Sequence, residues 1–338
     1  MDTNISHHRS PAGAGRGMPV DYASDPHLSP AVRKFLQPLN AGGPPLESLS
    51  KEDARQALVS VQQLVIVDLS GIEESEKTIT HNGLTVTLNL VRPKDAKGML
   101  PAFLFIHGGG WILGDYPTHK RMVRDLVVLT GYTAVFVNYT PSPEAKYPQA
   151  LKEIHAAAKW VASHGKEIGV DPEKLAIVGN SVGGNMSAAT TLMAKANGGP
   201  DFKLQVLMWP VTDAGFDQES WQLFGKQRFL TDTLMKWMWD QYTTSPAQRK
   251  EIYASPLQAT PEQLKGLPPT LIVVAENDIL RDEGEAFGRN LREAGVDVTT
   301  VRYNGMIHDF GLLNGLATIP QTKSLFLQVA AELKKYLL

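Results

Sequence analysis

Short apolar runs alternate with longer amphipathic stretches over most of the chain. Ala102–Ile106, Thr133–Tyr139, Leu175–Val178, Leu204–Trp209, Thr270–Ala275 and Val298–Tyr303 read as strands. Between and after them, helical patterns cover about 118–130, 148–163, 182–196, 283–294 and 322–337. Strands that are mostly apolar throughout, separated by helices, predict a mostly parallel sheet covered on both faces. Gly131 follows one helix where a left-handed stop is expected. Upstream, Thr78–Thr80 and the alternating Leu84–Val91 flank His81-Asn82-Gly83. An Asn-Gly pair between such runs predicts a tight hairpin. Residues 29–65 predict helices broken at Gly42-Gly43-Pro44-Pro45.

One segment departs from this rhythm. Residues 213–264 carry helical spacing and many aromatics, among them Trp221, Phe224, Phe229, Trp237, Trp239 and Tyr242, but no strand. They read as an insertion that leaves the sheet and returns. The expected division is an arm and helices over 1–65 contributing to a cap, a first core part over 66–212, a helical cap over 213–264 and a second core part over 265–338. No internal repeat is evident.

Composition narrows the chemistry. The 338 residues are 43% hydrophobic and 20% charged, enough to bury a large core. With 33 basic against 35 acidic residues there is no electrostatic footprint for nucleic acid. The absence of Cys excludes disulfides, Cys-ligated zinc, iron–sulfur clusters and a thiol nucleophile. No apolar run approaches the roughly 18 residues of a membrane span. The first residues lack the apolar core of a secretory signal, so the cytoplasm is the expected location. Gly13, Gly15 and Gly17 loosely resemble a dinucleotide pattern, but no strand precedes them. No H-E-x-x-H or similar ligand cluster is present, and neither a metal nor an organic cofactor is expected.

Gly179-Asn180-Ser181-Val182-Gly183 follows an apolar strand and opens a small-residue helix. This is G-x-S-x-G in the strand–turn–helix context that presents a serine hydroxyl above a sheet. His107-Gly108-Gly109-Gly110-Trp111 also follows a strand. Its unshielded backbone N–H groups suit an oxygen that becomes an anion during acyl transfer. Gly109 and Gly110, with Gly108 as a further candidate, would share that task with the N–H of Val182. His107 reads as architectural.

A serine needs a base. His7 and His8 fall in the arm, His27 in a polar Pro-flanked stretch and His81 in a hairpin turn. His119, His155 and His164 fall on helices and are expected to be solvated. His308 follows the last strand, where sites in parallel sheets gather. For the orienting carboxylate, position alone favours Asp278 and leaves Glu276 as a rival, whereas Asp282 and Glu283 suit the first turn of a helix. The order Ser, acid, His is that of α/β-hydrolases.

These pieces together resemble the hormone-sensitive-lipase-like esterases, a branch of the α/β-hydrolases. The resemblance runs from about Pro101 to Leu338 and includes Ala254-Ser-Pro-Leu257, Leu267-Pro-Pro269, Asp278-Ile-Leu-Arg-Asp-Glu-Gly284 and Gly305-Met-Ile-His308. It implies an α/β-hydrolase fold with a helical cap, Ser181 as nucleophile, His308 as base, Asp278 as acid, and oxyanion donors among Gly108, Gly109, Gly110 and Val182. It departs from the family pattern at Asn180, where Asp is usual, and at Val182, where Ala is usual. It also departs at Thr140, where Arg is usual, at Ile279 for Pro and at Asp309 for Gly. These changes bear on substrate preference and pH profile and leave the triad whole.

The resulting expectation is a serine carboxylesterase acting on short- to medium-chain esters through an acyl-enzyme. Trp111, Met235, Trp237 and Met238 are candidate pocket residues. The partner is a small-molecule ester, without nucleic acid or membrane insertion. The family also pairs subunits through the last strand and helix, which admits a homodimer. The alternatives are an amidase such as an arylformamidase on the same triad, and a non-catalytic ligand receptor on the same fold.

Overall fold

The computed structural model describes residues 19–338. The stretch holding His7, His8 and the three arm glycines lies outside them. Two helices come first, α1 (Pro30–Leu39) and α2 (Lys51–Gln63), each opened by a serine whose hydroxyl accepts a backbone N–H. The hairpin β1 (Ile72–His81) and β2 (Leu84–Pro93) follows, turning at Asn82-Gly83 with both residues at positive φ. Then come β3 (Leu100–Ile106), α3 (Tyr116–Thr130), β4 (Thr133–Asn138), α4 (Gln149–His164), β5 (Val170–Asn180), α5 (Val182–Asn197) and β6 (Leu204–Met208). Helices α6 (Glu219–Phe224), α7 (Asp232–Tyr242) and the single turn α8 (Pro261–Leu264) lead to β7 (Thr270–Asn277), α9 (Arg281–Glu293), β8 (Val298–Ile307) and α10 (Pro320–Leu337).

All eight strands form one sheet in the order β1-β2-β4-β3-β5-β6-β7-β8. The pairings from β4 to β8 are parallel, and β1 and β2 add an antiparallel edge. Successive side chains of β3 serve opposite faces, as a strand's period of two requires. Leu104 and Ile106 join the core under α4 and α5, while Phe103 and Phe105 join the core under α3 and α10.

Three predicted boundaries shift. β1 begins at Ile72 rather than Thr78, because the charged run Glu73–Lys77 forms the exposed edge of the sheet. β7 runs on to Asn277 and β8 to Ile307, so Asp278 and His308 leave directly from strand ends. The expectation that His119 and His155 are solvated is corrected. His119 is fully buried against Phe105 and Phe136, and His155 is buried on α4.

The segment between β6 and β7 contains no strand, as its aromatic spacing predicted. Its base is anchored by Glu283 in the first turn of α9. This fully buried carboxyl accepts the N–H groups of Thr212 (2.8 Å) and Asp213 (3.2 Å) and the indole N–H of Trp221 (3.3 Å). Burial pushes the Glu283 carboxyl well above the usual carboxylate range, and the three donors only partly offset that. Glu283→Leu strands these donors and should cost about 2–4 kcal/mol of stability, read from denaturant or thermal melts.

Candidate active site

Ser181 sits between the end of β5 and the start of α5, at φ 55°. A non-glycine residue held in that region is strained and must be fixed by its surroundings. Here Ser181 donates its N–H to Met208 (2.8 Å) and accepts from Val211 (3.2 Å). The flanking glycines are demanded by space. A Cβ at Gly179 would lie 2.3 Å from the Gly183 carbonyl oxygen, and one at Gly183 would lie 2.0 Å from that of Ile106.

The structure brings together the three residues that the sequence singled out. Ser181 Oγ is 2.9 Å from His308 Nε2, and His308 Nδ1 is 2.7 Å from Asp278 Oδ2. Asp278 Oδ1 accepts the N–H of Leu280 at 3.0 Å, which fixes the carboxylate's rotation. All three side chains are buried. Burial opposes charging the His308 ring, but the negative charges of Asp278 and then Asp309 outweigh it, leaving this His above its ordinary value. The rival Glu276 is turned elsewhere: it accepts the N–H of Gly305 at 2.7 Å and faces His27 at 3.3 Å.

The glycine loop after β3 lies beside Ser181. Gly109 and Gly110 adopt φ 109° and 62°, and a Cβ on Gly109 would lie 2.2 Å from the Leu113 carbonyl oxygen. His107 holds the loop from behind. Its Nδ1 is 2.8 Å from the Gly108 carbonyl oxygen, its own carbonyl accepts from the Tyr139 hydroxyl (3.0 Å), and its ring stacks on Tyr139 at 4.3 Å. Burial pulls His107 down to about 4, so it is neutral at working pH. The Gly108 N–H is already engaged, donating to Asn180 Oδ1 at 3.0 Å. That leaves the N–H groups of Gly109, Gly110 and Val182 as the candidate oxyanion donors.

Ser181 and His308 border a cavity of about 510 Å³. Its walls come from both expected cap segments: Leu39 to Glu47 and α2 on one side, and Gln227 to Leu234 on the other. A buried ion pair joins these segments, with Arg228 Nη2 2.7 Å from Asp25 Oδ2. Of the four pocket candidates, only Met238 lines the cavity, where it sits against Gly110. Trp111, Met235 and Trp237 are corrected. Trp111 is buried and stacks on Tyr242 at 4.1 Å, fastening the inserted helix to the glycine loop. Met235 is fully buried in the core, and Trp237 is packed against that core.

The sequence reading missed what fills the space around the elbow. Trp209 directly follows β6 and donates its indole N–H to Asp309 (2.7 Å), which also accepts from Asn180 (3.0 Å). Asn180 and Asp309 carried a signal as departures from the family pattern, but their contact spans 129 positions along the chain.

Comparison with known proteins agrees with this geometry. Residues 103–312 match a family model described as the alpha/beta hydrolase fold. The chain is 31% identical to an ethyl acetate hydrolase of Pseudomonas putida over 84% of this chain and 92% of that one. It is 32% identical to a carboxylesterase of Mycobacterium tuberculosis over 72% and 77% of the two chains. Among solved structures, a thermostable esterase from Pseudomonas putida superposes with a TM-score of 0.92. That pair shares 55% identity over 93% of this chain and 99% of the other.

Proposed function

The chain belongs to the α/β-hydrolase family and is an ester hydrolase, and from that premise we propose that it works as a serine carboxylesterase on short- to medium-chain esters. The observation that carries the mechanism is the unbroken line from Asp278 through His308 to Ser181, at 2.7 and 2.9 Å.

His308 takes the proton of Ser181 as its oxygen attacks the ester carbonyl. Asp278 keeps the ring proton on Nδ1, so Nε2 is the lone pair facing the hydroxyl, and it stabilises the imidazolium that forms. The tetrahedral oxyanion is received by the N–H groups of Gly109, Gly110 and Val182. His308 then protonates the leaving alcohol, and the acyl group stays on Ser181. Water deprotonated by the same His releases the acid.

Substrate size follows from the walls. We assign residues 213–264, with the N-terminal helices, to a cap over the site. A cavity of about 510 Å³ with Leu39, Leu46, Leu58, Leu230 and Met238 on its walls suits a short or medium acyl chain. Ethyl acetate, the ester in the name of the Pseudomonas putida hydrolase, is small enough for it.

Two measurements test the reading. A p-nitrophenyl acetate, butyrate, octanoate and laurate series should show kcat/KM highest among the shorter chains. An alkyl fluorophosphonate should stop turnover and add one phosphonyl group, mapped by peptide mass spectrometry to Ser181. Turnover that survives saturating phosphonate, or an adduct elsewhere, overturns the assignment.

A further inference from the structure

The residue before the nucleophile has a fully buried amide with a partner on each side. Asn180 Oδ1 accepts the Gly108 N–H at 3.0 Å. Asn180 Nδ2 donates to Asp309 Oδ1 at 3.0 Å and lies 3.5 Å from His119 Nε2. His119 Nδ1 is 3.1 Å from the Asp115 carbonyl oxygen, so the ring proton belongs there and Nε2 presents a lone pair. Burial keeps this ring neutral, well below ordinary His behaviour. The amide therefore meets one donor on its oxygen side and two acceptors on its nitrogen side. Only one orientation satisfies them all.

Asp309 is fixed in the same way. Its Oδ1 also accepts the Trp209 indole N–H at 2.7 Å, while its Oδ2 points toward His308, 3.8 Å from Nε2. It is buried at the floor of the cavity, with φ 58°.

We propose that Asn180 and Asp309 form one positioning unit, in which Asp309 orients the Asn180 amide and Asn180 holds Gly108, and with it the Gly109–Gly110 donors, at the distance that the oxyanion needs. The proposal rests on the esterase reading above. It makes the two departures from the family pattern complements of each other. A carboxylate at position 180 could still accept from Gly108, but its second oxygen would face the Asp309 carboxylate at about 3 Å. Two buried like charges at that range cannot both stay ionised, so one must hold a proton. An amide at position 180 removes the conflict.

The titratable groups that face this unit are His308 from the same loop, His119 from α3 and, behind it, His107 at the end of β3. Asp278 meets His308 at the other ring nitrogen. Burial keeps both His107 and His119 neutral, which leaves His308 as the group whose titration Asp309 alters.

The test is a set of pH profiles for N180D, D309N and N180D/D309N on p-nitrophenyl acetate. N180D should lose about 10–100-fold in kcat at alkaline pH, a fraction of the loss for deleting an oxyanion donor. Its KM should stay near that of the wild type. The loss should shrink as pH falls, because a shared proton restores the donor between the two carboxylates. N180D/D309N removes the charge conflict, so its profile should lose the extra pH dependence of N180D, while the Trp209 N–H, which meets the same atom of residue 309 that faces position 180, keeps the rescue of kcat partial. D309N keeps an acceptor for the Asn180 amide but removes the charge, so its acid limb should move to lower pH.

An N180D profile parallel to the wild type, or a double variant that keeps the extra pH dependence of N180D, overturns the unit. Should N180D fail to fold, an unmoved acid limb in D309N overturns it. Failure of the esterase reading is separate: it would appear as a Ser181→Ala enzyme as active as the wild type.

Discussion

Ser181→Ala should lower kcat on p-nitrophenyl acetate by about 10⁴–10⁶-fold, the range for removing the nucleophile from a Ser-His-Asp enzyme. The fold should be unaffected. The methyl group keeps the Cβ at the same φ of 55°, and among the described residues the lost hydroxyl hydrogen-bonds to His308 alone, at 2.9 Å. The melting temperature should stay within about 4 °C of the wild type, the shift for about 1 kcal/mol in a domain of this size. A small residual rate should remain, because bound ester still meets the glycine donors and His308 can activate water. Phosphonylation should vanish in parallel. Turnover close to wild type in a folded Ser181→Ala enzyme would take Ser181 out of the chemistry altogether.

The pattern of the chain made the scaffold legible because its signals are local. The apolar runs Phe103–Ile106 and Leu175–Val178, short and followed by glycine turns, read as buried strands, and α3 between them brings its own caps. Asp115 and Thr118 form a reciprocal cap on α3, and Gly131 ends it at φ 78°. The meeting of Ser181, Asp278 and His308 was legible for a related reason: strand ends in a parallel sheet lie on one rim, so all three were already on the same edge before any coordinates. What the pattern could not supply is packing between distant segments. Trp111 follows Gly110 in the chain and Met238 packs against Gly110, yet one is a buried anchor and the other a cavity wall. Hydrophobicity is the same for both roles. His119 was misread as solvated because α3 hides it behind the glycine loop, where its ring lies 5.4 Å from that of His107.

Asp278→Asn should be the next most damaging change, at about 10⁴-fold in kcat, as for the equivalent substitution in other Ser-His-Asp enzymes. The reason lies in how the carboxylate is held. Asp278 Oδ1 accepts the Leu280 N–H at 3.0 Å, so an amide placed here keeps its oxygen on that donor and turns its NH₂ toward His308. The ring must then accept at Nδ1 and carry its proton on Nε2, facing Ser181 with an N–H instead of a lone pair. The charge is lost as well. Burial alone lowers the affinity of the His308 ring for a proton, and Asp278 is the larger of the two charges that overcome it. The base must be neutral to act. In the wild type the acid limb of kcat/KM should therefore lie above the roughly 6.5 of an unperturbed His, with activity falling as pH drops through it. In Asp278→Asn that limb should move down while the plateau collapses. A pH–rate profile separates the two effects: a lowered plateau with an unmoved limb would mean that Asp278 orients the ring without contributing its charge.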